Sequence, residues 1–272
     1  MINDIGKIKI EQLTIKDLPY VSELQPEGWG DILPNFRYYI KSSYCFPTKV
    51  TLDNKLIGLG AAILHDNVAW LANIIVKPEY KHNGIGTSIT KRMMDNMLQQ
   101  VPAVLLIATD LGFPIYKKLG FKAIGNYSLY PNVQLPASKS ENIVPYSQDY
   151  YHQICNLDVY ITGERRPELL SKLLPGSFLY IKEDKVIGCL FAGYGEGLIL
   201  ALTEESGIAL LSKHLETPKN ISIPKDNKVA NDFLTRLGFE PIPNKCAMRM
   251  YFGKKPKWKP EFVFGRIGGN LG

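Results

Sequence analysis

Asn73-Ile-Ile-Val-Lys-Pro-Glu-Tyr-Lys-His-Asn-Gly-Ile-Gly-Thr87 places an apolar strand directly before a glycine turn and a helix. Gly84 and Gly86 have no Cβ, so their backbone can take positive φ and approach a ligand closely. The successive N–H groups of His82, Asn83, Gly84, Ile85, Gly86 and Thr87 then point one way and form an anion cradle. The helix after the turn, with its apolar positions at Ile89, Met93, Met94 and Met97, leaves its first N–H groups without intrahelical partners and puts a partial positive charge at its start. A phosphate fits there, and Lys81 adds a full charge.

A Gly-x-Gly at such a turn is often turn chemistry and nothing more, so its surroundings decide. No Gly-x-x-x-x-Gly-Lys-Ser/Thr string occurs, which removes a P-loop. Position 89 is Ile, so the third glycine of a dinucleotide fingerprint is missing. Downstream, Ala103-Val-Leu-Leu-Ile-Ala-Thr-Asp-Leu-Gly-Phe-Pro-Ile-Tyr-Lys-Lys-Leu-Gly-Phe121 contains a short apolar run, Val104 to Ala108, that fits a buried strand. Thr109 or Asp110 can cap a short helix, Pro114 is tolerated in its first turn, and Gly120 can end it in the left-handed conformation. This second crossing delivers Tyr116 near the helix after the glycine turn.

Upstream, Lys7 to Leu13 alternates as a strand, and Thr14-Ile-Lys-Asp17 opens a helical segment through Leu24 like a capping box. A helix is expected over Ile32 to Ser42, a hairpin over Thr48 to Leu52 and Leu56 to Leu64, and a strand over Val68 to Val76. Together these give an α/β layer on a mixed sheet.

Lys81-x-x-Gly84-x-Gly86 followed by Tyr116-x-x-Leu119-Gly120-Phe121 resembles the GNAT superfamily of acyl-CoA-dependent N-acetyltransferases. Val76-Lys77-Pro78 also matches, as does a Tyr seven residues after a polar residue, here Thr109. The family usually opens the first motif with Arg or Gln. Lys81 departs from that, keeping the charge without the planar fork of Arg.

The resemblance implies acetyl-CoA as co-substrate, with no metal. It places the cofactor on Ile74, Ile75, Val76, Lys81, His82, Asn83, Gly84, Ile85, Gly86, Thr87, Thr109, Gly112 and Tyr116. The pantetheine arm would pair with the Ile74–Val76 backbone as an added strand, and a backbone N–H near Ile74 or Ile75 would hold the thioester oxygen. Tyr116 would protonate the leaving thiolate. Relatives that carry Glu on the fifth strand have no counterpart here, because that position is Val104. Asp31, beside Trp29, is the first alternative as base, acting through a water; His65 and Glu27 come next, and bulk water is a further route. Trp29, Asp31 and Arg165 or Arg166 are candidates for the acceptor, with an arginine holding a carboxylate. The expected function is transfer of acetyl to a primary amine of a small molecule or amino acid. The alternatives are a protein amine as acceptor, or a non-catalytic acyl-CoA-binding regulatory module.

The chain has 272 residues and 45% apolar content, enough for two cores. Proline and polar residues between Tyr130 and Pro145 suggest a link, giving lobes at 1–132 and 146–272 joined by 133–145. Past it, Asp226 to Phe239 echoes Thr109 to Phe121, with Leu237-Gly-Phe239 matching Leu119-Gly-Phe121. Leu234 replaces Tyr116, and Leu202-Thr-Glu-Glu-Ser-Gly-Ile208 puts acidic residues where the basic loop would be. The expected fold is therefore α/β (α+β), two tandem GNAT-like domains, each a mixed, mainly antiparallel sheet flanked by helices, with the second lobe degenerate and walling the acceptor site.

No apolar run is long enough to span a bilayer, and the start at Met1 lacks a signal-peptide pattern, which points to a soluble cytoplasmic enzyme, monomeric or homodimeric. Cys45, Cys155, Cys189 and Cys246 form no Cys-x-x-Cys pair and read as reduced core residues; the four histidines show no ligand spacing. The net charge of +6 and the single cluster Lys254-Lys-Pro-Lys-Trp-Lys259 make a small electrostatic footprint, read as a solvated connector and not a nucleic-acid site. Gly193 to Gly197 and Gly265 to Gly272 read as turns or a flexible end.

Overall fold

A computed structural model of the chain describes residues 8–137, 140–245 and 247–271. The expectations at Met1 to Lys7, Ser138, Cys246 and Gly272 lie outside the described residues. The chain opens with strand β1 (Ile8–Gln12), the short helix α1 (Leu18–Val21) flanked by 3-10 turns, and helix α2 (Leu33–Lys41). The Thr14/Asp17 capping box forms, with the Thr14 N–H 2.8 Å from Asp17 Oδ2. Next come β2 (Cys45–Leu52), β3 (Lys55–Leu64), β4 (Ala69–Val76), helix α3 (Ile85–Leu98), β5 (Ala103–Ala108), helix α4 (Phe113–Lys118) and β6 (Lys122–Val133). α3 buries Ile85, Ile89, Met93, Met94 and Met97 on one face. It sits close on β3 because Gly60 has no side chain; a Cβ there would come 2.9 Å from the Met93 Cε.

The second half repeats the pattern. β7 (Ile143–Pro145) leads to helices α5 (Tyr151–Thr162) and α6 (Pro167–Leu173). After these come β8 (Phe178–Lys182), β9 (Lys185–Phe191), β10 (Leu198–Ala201), helix α7 (Glu204–His214), β11 (Lys219–Pro224) and helix α8 (Lys228–Arg236). Two strands close the chain, β12 (Met248–Gly253) and β13 (Val263–Gly265).

The expected cut between lobes is not clean. β12 belongs to the front sheet, antiparallel to β5 on one side and to the first half of β6 on the other. β6 then runs on and pairs with β11 from Tyr127 to Val133. The expected link is also shorter than 133–145, since β7 already pairs with β8. The resulting sheets are β1-β2-β3-β4-β5-β12-β6-β11 and β13-β10-β9-β8-β7. β12 and β11 thus come from the second half of the chain and complete the sheet of the first, while the other sheet is built from the second half alone.

A buried charge group fastens the junction. Arg166 grips Asp158 with Nε at 3.0 Å and Nη2 at 2.8 Å. Glu164 accepts from Trp70 Nε1 at 2.8 Å and pairs with Arg249. The Arg249 guanidinium lies between the rings of Trp70 (4.6 Å) and Trp258 (4.7 Å). Burial pushes the Glu164 carboxyl up, but Arg249 and Arg166 outweigh it and hold the group below its ordinary value. Asn67 adds ties to the backbone: its Nδ2 donates to Gly163 C=O (2.9 Å), and its Oδ1 accepts from Arg165 N–H (2.7 Å). The Lys254–Lys259 segment is therefore not a free connector: Trp258 also lies on Gly125, and the Lys259 N–H bonds Ile161 C=O at 2.8 Å.

Candidate active site

The loop from Lys81 to Gly84 is exposed and turns through two left-handed residues, His82 (φ 64°) and Gly84 (φ 76°). Asn83 braces it by donating to Lys81 C=O at 3.1 Å. Gly84 is the N-cap of α3, so the N–H groups of Ile85, Gly86 and Thr87 lack intrahelical acceptors. A Cβ on Gly84 would meet nothing within 4 Å, and one on Gly86 only Val76 Cγ2 at 3.7 Å. The space above both glycines is thus open, as a bound diphosphate requires.

β4 runs toward this loop and parts from β5 on the way. The two pair in parallel only over Ala69–Leu71 and Val104–Leu106. At Asn73 the backbone takes φ 48°, and the register against β3 shifts between Leu59↔Ile75 and Ala61↔Ala72. The extra residue is a bulge, which bends β4 away and leaves the Asn73–Val76 edge unpaired toward β5. Val104 is wholly buried in the core under α3.

Tyr116 stands on α4, whose start is held by Thr109: its C=O accepts from Gly112 N–H (3.0 Å) and Phe113 N–H (2.9 Å). The Tyr116 ring lies back over Gly112, where a Cβ would come 2.7 Å from its Cε2, and meets Phe121 edge-on at 6.0 Å. No hydrogen-bond partner for its hydroxyl occurs among the described residues. Burial pushes this phenol up to about 12, so it stays protonated near neutrality.

The remaining candidates lie in different places. Asp31 is exposed, and its Oδ1 accepts from Leu33 N–H at 2.9 Å, at the start of α2. With Arg37, Tyr38 and Lys41 it lines a shallow cleft. Trp29 is 44% exposed, on a loop braced by Gln25, whose Nε2 donates to Trp29 C=O (3.2 Å) and Gly30 C=O (3.0 Å). Glu27 is exposed on the same loop. Arg166 is corrected: it is 2% exposed, and its guanidinium is committed to Asp158, so it holds the junction and is not free for an acceptor carboxylate. Arg165 is tied by its backbone to Asn67 and Asp66. His65 is buried at the β3–β4 hairpin, the end of β4 opposite the glycine loop, and burial pulls its imidazole down to about 4.

A cluster that the sequence does not announce faces the bulge. The Tyr39 hydroxyl donates to Asn73 Oδ1 at 2.6 Å and accepts from Asn270 Nδ2 at 3.2 Å. Tyr38 and Tyr194 pack with ring centroids 5.6 Å apart, and the Tyr194 hydroxyl is buried. Burial pushes Tyr194 and Cys45 up to about 12, so both stay protonated near neutrality. The adjacent tyrosines Tyr38 and Tyr39 are a visible sequence signal; Asn270 sits in a stretch that composition alone marks as loose.

The fold that carries this glycine turn, bulged strand edge and tyrosine has counterparts among known proteins. Residues 18–130, somewhat under half of the chain, match the family model for the acetyltransferase (GNAT) domain. A curated relative, the uncharacterized N-acetyltransferase YitH of Bacillus subtilis, is 26% identical over 185 residues. That match spans 61% of this chain and 64% of the relative, less than two thirds of its length. Among solved structures, a Pyrococcus horikoshii protein proposed as an acetyltransferase has a TM-score of 0.84 at 21% identity, covering 98% of this chain and 96% of that one. A tandem GNAT protein from the clavulanic acid biosynthesis pathway has a TM-score of 0.59 at 11% identity, covering 92% and 99%. At these identities the likeness is one of fold, and it extends through both lobes.

Proposed function

We propose that this chain transfers acetyl from acetyl-CoA to the primary amine of a small molecule or amino acid, at one site in the front lobe. The carrying observation is the β4 edge left unpaired toward β5 from the Asn73 bulge to Val76, which leads to the open glycines at the start of α3. A peptide-like pantetheine arm finds donors and acceptors along Asn73–Val76, and the diphosphate meets the N–H groups of Gly84 to Thr87 with Lys81 beside them.

The bulge turns a backbone N–H near Ile74 or Ile75 toward the thioester oxygen, where negative charge grows as the amine attacks. The amine attacks in its neutral form and loses its proton to water, with Asp31, exposed beside the start of α2, as the carboxylate that relays it. The C–S bond then breaks, and the Tyr116 hydroxyl, protonated and without a competing partner among the described residues, donates to the departing thiolate. Trp29 and the Tyr38 cluster provide walls for an apolar amine body.

Thiol release with acetyl-CoA across a panel of small amines, amino acids and peptide amines tests this reading. Turnover of at least one small amine is expected. Acetyl-CoA binding with no turnover on any amine would replace the transferase by a binding module, and turnover on peptide amines alone would replace the acceptor class.

A further inference from the structure

In the rear lobe, β10, α7, β11 and α8 repeat the order of β4, α3, β5 and α4, but the gap between the two strands is filled. β13 lies in it, antiparallel to β10 (Ile199↔Gly265) and tied to β11 by the Arg266 N–H to Ser222 C=O at 3.0 Å. Asn227, at the N-cap of the helix that matches α4, donates from Nδ2 to Val263 C=O at 3.0 Å. Gly265 admits no side chain without crowding, since a Cβ there would come 3.1 Å from Gly197 O. The chain thus fills with its own backbone the place that stays open in the front lobe.

This anchor fixes the path of residues 266–271. Arg266 pairs with Glu196 at 2.8 Å, and Ile267 and Leu271 are wholly buried in the same apolar cluster as Tyr39 and Ile75 of the front lobe. Between them Asn270 donates to the Tyr39 hydroxyl, and that hydroxyl donates its one proton to Asn73 Oδ1. Tyr39 is fully buried, so neither partner is readily exchanged for water. A non-glycine residue at φ 48° is held against local preference, and this series of hydrogen bonds supplies the hold.

We propose that the tail after β13 is a working part of the front site: Asn270 is a positioning residue that, through Tyr39, fixes the Asn73 bulge and so aims the N–H groups of residues 73–75. The proposal rests on the acyl-transfer reading only for its effect on rate; the tie itself stands on geometry.

Asn270→Asp is the discriminating variant. It keeps size but cannot donate, and its carboxylate draws the Tyr39 proton away from Asn73. Asn270→Ala and Tyr39→Phe accompany it. Amide hydrogen exchange of residues 73–75 is expected to speed up by roughly tenfold in Asn270→Asp, while β2 and β3 amides keep their wild-type rates. The turnover number is expected to fall by roughly tenfold or more with the acetyl-CoA dissociation constant unchanged, as loosening of an oxyanion donor predicts. Asn270→Ala combined with Tyr39→Phe should do no more than Tyr39→Phe alone. Wild-type exchange at 73–75 in Asn270→Asp, or exchange raised equally across the front sheet, overturns the proposal. A wild-type protein that turns over no amine counts against the transferase reading alone, because the exchange measurement still decides the tie.

Discussion

Glu164→Gln removes one charge from a closed group of four. Asp158, Glu164, Arg166 and Arg249 are 0 to 3% exposed, two negative against two positive. Gln has the same size, and its oxygen still accepts from Trp70. Asp158 continues to hold Arg166. Among the described residues Arg249, clamped between Trp70 and Trp258, keeps only the Tyr127 hydroxyl at 3.4 Å, and its Nε already lacks a partner there. Leaving a buried charge uncompensated costs about 3–5 kcal/mol, far above the figure for an exposed pair. At about 2–4 °C per kcal/mol, the melting temperature should drop by roughly 6–20 °C, read by circular dichroism at neutral pH with urea unfolding as a check. Replacing both partners, as Glu164→Gln with Arg249→Met, should restore much of the loss, because no orphan charge remains. A single variant within about 1 kcal/mol of wild type, or a double variant worse than the single, would refute the reasoning.

Tyr116→Phe should lower turnover by roughly tenfold to hundredfold with acetyl-CoA affinity unchanged, and unchanged turnover would take Tyr116 out of the reaction. Gly112→Ala should act in the same direction on turnover, because a Cβ 2.7 Å from Tyr116 Cε2 makes the ring swing away; wild-type kinetics would show that its position is immaterial. His65 titrates near 4 when folded and near 6.5 when unfolded, so the unfolded chain binds the extra proton between those values. Its contribution is present above about 6.5 and lost as pH falls toward about 4, amounting to about 2 kcal/mol between pH 7 and pH 5. In His65→Gln that part of the pH dependence of urea unfolding should vanish; an unaltered slope contradicts it.

The glycine turn before α3 and the placement of Tyr116 on α4 were legible because their signals are local. Glycines at a strand-to-helix turn, a 3.6-residue apolar repeat through Met97, and a cap-proline-glycine frame around α4 each act within a dozen residues. The place of β12 in the front sheet was not legible. Nothing in Met248–Gly253 tells which strands will flank it, and its partners lie more than a hundred residues earlier. Glycines from Gly265 onward look like a loose end by composition, yet Gly265 is there to pass close to β10 and β11, and Ile267 and Leu271 are wholly buried. Arg166 differs for a related reason: a polar neighbourhood in sequence does not reveal that Asp158, on α5 before the Gly163 turn, already holds the guanidinium.

We propose that one cofactor molecule is gripped per chain, at the Gly84–Gly86 turn of the front lobe, and the rest of the proposed chemistry depends on that placement. Titration calorimetry with coenzyme A on the wild type and on Gly86→Glu decides it. One site per chain is predicted for the wild type and no measurable binding for Gly86→Glu, whose carboxylate would occupy the phosphate position. Two sites per chain, or affinity retained in Gly86→Glu, would contradict it.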